Sequence, residues 1–152
     1  MAIFFNSDEV ENKFTVNKDE FECCTIMVVD DDEAMRSLLV DELSECGCSV
    51  IQAGDGVEAF SKLESRSPSL VVTDLHMKAG GFEFISRLKT ALPECPVIVV
   101  TAFGDSHTQS QAKNVGVDGY FDKPVRMADL KALVTKVCPR PRCQHIRVGY
   151  NP

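Results

Sequence analysis

Short apolar runs alternate with longer segments of helical character along most of this chain. Five runs are rich in β-branched residues and lie at residues 25–29, 49–53, 70–73, 97–101 and 119–121. The first, third and fourth are almost continuously apolar, as strands covered on both faces are. This alternation predicts a parallel sheet with helices on each side.

The segments between the runs predict five helices. Apolar residues recur at helical spacing in residues 33–46, 56–65, 82–88 and 130–137. Residues 105–115 are polar and lack such a stripe, but their position between two runs still predicts a helix. Gly47 and Pro139 stand where helices are expected to end. The pattern therefore predicts a doubly wound α/β fold, with five parallel strands and five helices over roughly residues 24–138.

Composition and charge narrow the possible partners. The chain has 152 residues, of which 44% are hydrophobic and 26% charged, which is ordinary for one globular domain. A net charge of -7 argues against binding to a nucleic-acid backbone, which needs clustered basic residues. The charge is uneven, because residues 1–22 hold six acids against Lys13 and Lys18, whereas residues 139–152 hold three arginines. We therefore expect an acidic N-terminal extension and a basic C-terminal tail.

Targeting signals and cysteines bear on location. The first residues lack a basic region followed by a long apolar run, so we expect neither a signal peptide nor a membrane span. An odd number of cysteines, seven, without a secretion signal predicts reduced thiols. These features together predict a cytoplasmic protein that does not bind a membrane.

Polar residues follow the apolar runs at one edge of the predicted sheet. They are Asp30, Asp31 and Asp32 after the first run, Asp74 after the third, Thr101 at the end of the fourth and Lys123 after the fifth. Ligands of open parallel sheets bind beyond the carboxyl ends of the strands. Crowded carboxylates repel one another unless a divalent cation such as Mg²⁺ binds them. A hydroxyl and an ammonium nearby can hold phosphoryl oxygens, and an aspartate can be the nucleophile.

This arrangement resembles the response-regulator receiver domain of two-component signalling, of the chemotaxis-regulator type. The matching segments are Val28-Val-Asp-Asp, Asp55-Gly56, Val71-Val-Thr-Asp, Val99-Val-Thr-Ala and Gly119-Tyr-Phe-Asp-Lys-Pro. The resemblance implies a flavodoxin-like strand order of 2-1-3-4-5. It also implies three parts, with a receiver domain at residues 23–138 between an extension at 1–22 and a tail at 139–152.

The same resemblance implies a metal and phosphoryl site. Asp74 would be the phosphoacceptor, and Mg²⁺ would bind to Asp30, Asp31 and Asp74, with the backbone carbonyl of His76 completing the shell. No other cofactor is expected. The following loop departs from the family pattern, because Lys78 replaces a proline and residues 77–81 are one residue shorter and richer in glycine. We expect this loop to be looser, with an effect on magnesium affinity.

Three further residues receive roles from the resemblance. Thr101 and Lys123 would each bind a phosphoryl oxygen, and the peptide bond from Lys123 to Pro124 would be cis. Tyr120 matches the aromatic residue that turns inward with Thr101 on activation. Such a switch operates by shifting the balance between two packings of the same fold.

Three functions remain open on the sequence alone. The first is a receiver that takes a phosphoryl group from a sensor histidine kinase or histidine phosphotransfer protein and then binds a downstream protein, without enzymatic activity beyond its own phosphorylation and dephosphorylation. Only 14 residues follow Cys138, so we expect no output domain of its own. The second is a haloacid-dehalogenase-type phosphatase with Asp30 as nucleophile and Asp32 as acid/base, although Glu33-Ala34 does not fit that motif. The third is a receiver-like interaction domain that is not phosphorylated.

Overall fold

The strands and helices follow the predicted alternation. The computed structural model describes residues 2–4, 24–102 and 104–138, the first of these by backbone alone. The strands are β1 Ala2–Phe4, β2 Thr25–Val29, β3 Ser49–Ala53, β4 Leu70–Thr73, β5 Val97–Thr101 and β6 Gly119–Asp122. The helices are α1 Glu33–Ser44, α2 Gly56–Leu63, α3 Gly81–Ala91, α4 Ser106–Asn114 and α5 Met127–Val137.

The sheet has the predicted parallel topology and one additional strand. Its order is β1-β6-β5-β4-β2-β3, and the five strands from β2 to β6 pair in parallel. Numbered among themselves, these five have the order 2-1-3-4-5, which confirms the expected flavodoxin-like α/β fold. Strand β1 pairs antiparallel with the outer edge of β6, which the sequence pattern did not predict. The rest of the N-terminal extension and the C-terminal tail lie outside the described residues.

Three of the five helices in the described residues begin at an aspartate cap. The Asp32 carboxylate accepts hydrogen bonds from the backbone N–H groups of Ala34 and Met35, at 3.0 and 3.1 Å, and so begins α1. Asp55 caps α2 in the same way, and Asp105 caps α4 by accepting from Thr108 at 2.7 Å. The Asp105 cap starts a helix even though the segment that follows has no apolar stripe.

The sheet separates two apolar layers. Along β2, Ile26 and Val28 face a cluster that contains Leu39, Leu43, Leu130 and Leu133 from α1 and α5. Met27 and Val29 face the opposite cluster, which contains residues of α2, α3 and α4. The alternation of side chains along a strand therefore buries both faces of β2, as a doubly wound fold requires. None of the helices in the described part has the length and apolar content that a membrane span needs.

Two of the cysteines are bonded, contrary to the expectation of reduced thiols. Cys24, before β2, forms a disulfide with Cys138, after α5, across a sequence separation of 114 residues. The disulfide joins the first and last parts of the domain at the amino ends of the strands. The positions of Cys24 and Cys138 in the sequence do not reveal that they are close in space. Among the described residues Cys46 and Cys95 are free thiols, and burial raises the pKa of the Cys95 thiol to about 11.

Candidate functional site

Two buried aspartates lie side by side at the carboxyl ends of neighbouring strands. Asp30 follows β2 and Asp74 follows β4, and their side chains are almost fully buried. Backbone hydrogen bonds extend the sheet to both positions: Asp30 N–H donates to Ala53 and Asp74 N–H donates to Val29. Asp31 is exposed beside them, and one ligand oxygen from each of the three aspartates lies within 4.8 Å of the others. The sheet thus brings together the acidic residues that the sequence predicted.

One ammonium bridges the two buried carboxylates. Lys123 Nζ lies 3.0 Å from Asp30 Oδ2 and 2.8 Å from Asp74 Oδ2. The backbone holds this lysine in place, because its N–H donates to the carbonyl of Thr101 at 2.8 Å and its peptide bond to Pro124 is cis, as expected. Lys123 therefore lies in the pocket that the sequence assigned to it.

The remaining carboxylate oxygens accept backbone hydrogen bonds. Asp74 Oδ1 accepts from Leu75 N–H at 2.6 Å and from His76 N–H at 3.1 Å. Asp30 Oδ1 accepts from Asp32 N–H at 2.9 Å. Two donors thus orient Asp74 through Oδ1, which leaves Oδ2 directed towards Lys123. The His76 side chain is exposed, and the role expected for its carbonyl stays a prediction.

The electrostatics of the pocket favour a cation. Burial raises the pKa of Asp30, and the Asp32 N–H and Lys123 offset this rise only in part. Burial by itself would lower the pKa of Lys123, but its hydrogen bonds to Asp74 and Asp30 outweigh that effect and raise it. Two buried carboxylates share a single ammonium, so the pocket keeps an excess of negative charge. Oxygen ligands with excess negative charge fit Mg²⁺, and Asp30, Asp31 and Asp74 would hold it.

Thr101 lies on β5, the strand next to β4, and Tyr120 lies on β6, one strand further out. Both are fully buried. The pKa of Tyr120 is raised to about 12 by burial and by the nearby charges of Asp122, Asp105 and Asp74. The Tyr120 side chain therefore lies inside the domain, and its role as a switch residue stays a prediction. Whether it moves stays a prediction.

Gly104 is required by the buried position of Tyr120. A Cβ atom at residue 104 would lie 2.6 Å from the Tyr120 hydroxyl and 1.7 Å from Asp122 Oδ1, so a larger side chain would displace one of them. Both of those oxygens are buried and have no hydrogen-bond partner within the described ranges. Gly104 and Asp122 could not be predicted from the sequence, because their close approach depends on how the loop after β5 folds over β6.

The glycine-rich loop after β4 contacts the start of α2. Gly56 N–H donates to the carbonyl of Lys78 at 3.2 Å, and a Cβ at residue 56 would lie 1.8 Å from the carbonyl oxygen of Ala79. Ala79 has a φ of 53°, which is unfavourable for a residue with a side chain. The backbone of this short loop thus contacts the start of α2, and the looseness expected from its glycines stays a prediction. Its effect on magnesium affinity stays a prediction.

Arg36 also supports the site and was missed. Its Nη1 donates to the backbone carbonyl of Asp30 at 2.7 Å, and its Nε donates to Gln52 Oε1 at 3.3 Å. Arg36 therefore connects the acidic loop after β2 to strand β3. A single arginine near the start of a helix is too common to be singled out from the sequence.

The fold and the site define a class of protein with an acidic, lysine-bridged pocket at the ends of a doubly wound sheet. The response regulator receiver domain family matches residues 26–135, and the chain belongs to this family. These domains serve signalling rather than catalysis, and they pair with histidine kinases. An acidic triad such as Asp30, Asp31 and Asp74 is typical of their magnesium site. Membership of this family argues against the phosphatase alternative, as does the use of Asp32 as a helix cap.

Curated relatives agree with this family. The chain is 33% identical over 116 residues to the alkaline phosphatase synthesis transcriptional regulatory protein PhoP of Bacillus subtilis, covering 76% of this chain and 48% of that protein. It is 34% identical over 131 residues to the response regulator MprA of Mycobacterium bovis, covering 83% of this chain and 57% of that protein. It therefore spans only about half the length of these relatives.

Two solved structures show the same fold. A two-component response regulator from Clostridium difficile has a TM-score of 0.73 at 24% identity, with 77% of this chain and 97% of that chain covered. The chemotaxis protein CheY4 of Vibrio cholerae has a TM-score of 0.70 at 24% identity, with 76% of this chain and 98% of that chain covered.

Proposed function

We propose that this chain is a phosphoacceptor receiver in which Asp74 takes a phosphoryl group in a Mg²⁺-dependent reaction. The observation that carries this proposal is the meeting of three carboxylates within 4.8 Å, two of them buried and bridged by Lys123. Burying two like charges costs free energy, and a fold with no use for them would gain by replacing them with apolar residues. This cost supports a functional role for the pocket.

The reaction transfers the phosphoryl group from a phosphohistidine to an oxygen of Asp74. We assign Asp74 Oδ2 as the attacking oxygen, because Oδ1 already accepts two backbone hydrogen bonds. An O–P bond forms, the N–P bond of the donor breaks, and the leaving imidazole keeps the electron pair. Mg²⁺ held by Asp30, Asp31, Asp74 and the His76 carbonyl would neutralise charge on the phosphoryl oxygens.

Lys123 and Thr101 act on the phosphoryl group once it is attached. Lys123 Nζ lies 2.8 Å from Asp74 Oδ2 and can move to a phosphoryl oxygen. Thr101 is buried at the end of β5, one strand away, and its hydroxyl would bind a second oxygen. Together with Tyr120 on β6, Thr101 would then report phosphorylation to the surface formed by the last strands and helices.

The partners follow from this chemistry. The phosphodonor is a sensor histidine kinase or a histidine phosphotransfer protein, and the output is a change in binding to a downstream protein. Such exchange takes place in the cytoplasm. Neither nucleic acid nor a membrane is a direct partner of the described domain in this proposal, and the net charge of -7 of the whole chain supports this for nucleic acid.

Labelling with a small phosphodonor tests the proposal. The protein is incubated with acetyl phosphate and Mg²⁺, and the phosphorylated fraction is measured by intact mass for the wild type, Asp74→Asn and Asp30→Asn. We expect a base-labile adduct that requires Mg²⁺, is absent from Asp74→Asn and is strongly reduced in Asp30→Asn. Asp41→Asn, on the exposed side of α1, is the matched control and should label normally.

Two outcomes would contradict the proposal. An adduct that persists in Asp74→Asn but disappears in Asp30→Asn would favour the nucleophile of a phosphatase. Absence of any adduct, together with absence of magnesium binding, would favour a receiver-like interaction domain that is not phosphorylated.

A further inference from the structure

The outer edge of β6 is paired with the chain's own N-terminal strand. The register pairs Ala2 with Phe121, Ile3 with Tyr120 and Phe4 with Gly119 in antiparallel orientation. The match to the receiver family begins only at residue 26, so β1 is an addition to the receiver domain. The additional strand therefore covers the edge of the strand that carries the switch tyrosine.

The two edges of the sheet are closed in different ways. At the β3 edge, Lys62 donates to the backbone carbonyl of Gln52 and Arg66 donates to the Ser49 hydroxyl, so charged side chains obstruct pairing. At the β6 edge, by contrast, the three-residue strand β1 covers the backbone of β6. A strand this short is held by few hydrogen bonds, so another extended segment can compete for its place.

We propose that Ala2–Phe4 is a removable cover of the β6 edge, which keeps an extended strand of another protein from pairing there until that strand displaces it. The pairing places Ala2 opposite Phe121, two residues before Lys123, which bridges the two buried aspartates. Displacement would thus alter the strand that leads into the phosphoryl site. The link between displacement of β1 and the phosphoryl site rests on the proposed function, whereas the pairing of β1 with β6 does not.

Hydrogen exchange of the β6 backbone amides tests the cover directly. Adjacent N–H groups point to opposite sides of a strand, so the double variant Ile3→Pro with Phe4→Pro must lose a donor to β6. We expect the outward amides of Gly119–Asp122 to exchange about tenfold faster or more in this variant, since they lose their partner strand. The matched control is Val10→Pro with Glu11→Pro, which leaves the sequence of β1 intact and should exchange like the wild type.

Binding of a peptide tests whether the edge accepts a strand from outside. The probe is a synthetic peptide of the first eight residues, added at millimolar concentration and followed by NMR shifts of Gly119–Asp122. We expect binding to the Ile3→Pro with Phe4→Pro variant that is about tenfold tighter than to the wild type, because the attached cover competes with the peptide. The same comparison in an Asp74→Asn background should give the same result, which separates the cover from phosphorylation.

The proposal would be overturned by β6 amides that exchange equally in the wild type and the Ile3→Pro with Phe4→Pro variant. It would also be overturned if the peptide bound both proteins with the same affinity or bound neither.

Discussion

The two ends of the parallel strands differ in what they bury. At the carboxyl ends the structure buries charges: Asp30 and Asp74 beside the ammonium of Lys123. At the amino ends it buries Leu43 together with Cys24 and Cys138, which close the domain through a disulfide. Burial of apolar groups stabilises a fold, whereas burial of like charges does not. The amino ends therefore contribute stability, and the carboxyl ends give up some of it for a binding site.

Shortening a core leucine near the amino ends should have the largest effect on stability. Leu43 is fully buried on α1, and Leu43→Ala should lower the free energy of unfolding by about 2–5 kcal/mol. Leu38→Ala on the same helix is the matched control, because Leu38 is 44% exposed and should cost far less. Urea denaturation measures both. Similar losses for the two variants would contradict the packing described for α1.

Removing the disulfide should have the next largest effect. The Cys24–Cys138 bond closes a loop with a sequence separation of 114 residues, and its loss should lower the unfolding free energy by about 2–4 kcal/mol. Denaturation of the wild type with and without reductant measures this, and Cys24→Ala should abolish the dependence on reductant. A denaturation midpoint that does not respond to reductant, with all thiols open to alkylation after unfolding, would show that the bond is absent.

Substitution of the two adjacent aspartates after β2 should affect different properties, one the stability of the fold and the other the binding of magnesium. Asp32→Ala removes the cap of α1 and should lower the unfolding free energy by about 1 kcal/mol while leaving magnesium binding intact. Asp31→Ala removes an exposed ligand and should reduce the stabilisation by Mg²⁺, which is about 1.4 kcal/mol at ten times the dissociation constant. Thermal unfolding across a magnesium titration distinguishes them. Loss of the magnesium effect in Asp32→Ala would reverse these roles.

Neutralising one buried carboxylate should raise stability slightly. The folded pKa of Asp30 lies above its ordinary value of 3.8, so folding favours the protonated form. This contribution to stability is full below pH 3.8 and is lost as the pH rises through the folded pKa, so ionised Asp30 destabilises the fold at neutral pH. In magnesium-free buffer at pH 7, Asp30→Asn should therefore unfold at a higher urea concentration than the wild type. A lower midpoint would mean that pairing with Lys123 outweighs the cost of burial.

The sequence predicted the parallel sheet and most of the site because both depend on local patterns. Buried strands leave continuous apolar runs; Asp30 and Asp74 stand directly after such runs, and Lys123 follows the fifth run after Asp122. Features that depend on contacts between distant segments were not predictable. The pairing of β1 with β6 and the disulfide from Cys24 to Cys138 join parts of the chain that local spacing does not relate. The close approach of Gly104 to Tyr120 likewise depends on the path of a loop.

Chemical mapping of the phosphorylated residue tests the central claim most directly. After incubation with acetyl phosphate and Mg²⁺, borohydride reduces an aspartyl phosphate to homoserine, and peptide mass spectrometry locates the change. We expect homoserine at residue 74 alone, only when Mg²⁺ is present, and absent from Asp74→Asn. Homoserine at residue 30, or at no residue of a protein that binds Mg²⁺, would contradict the assignment of Asp74 as the phosphoacceptor.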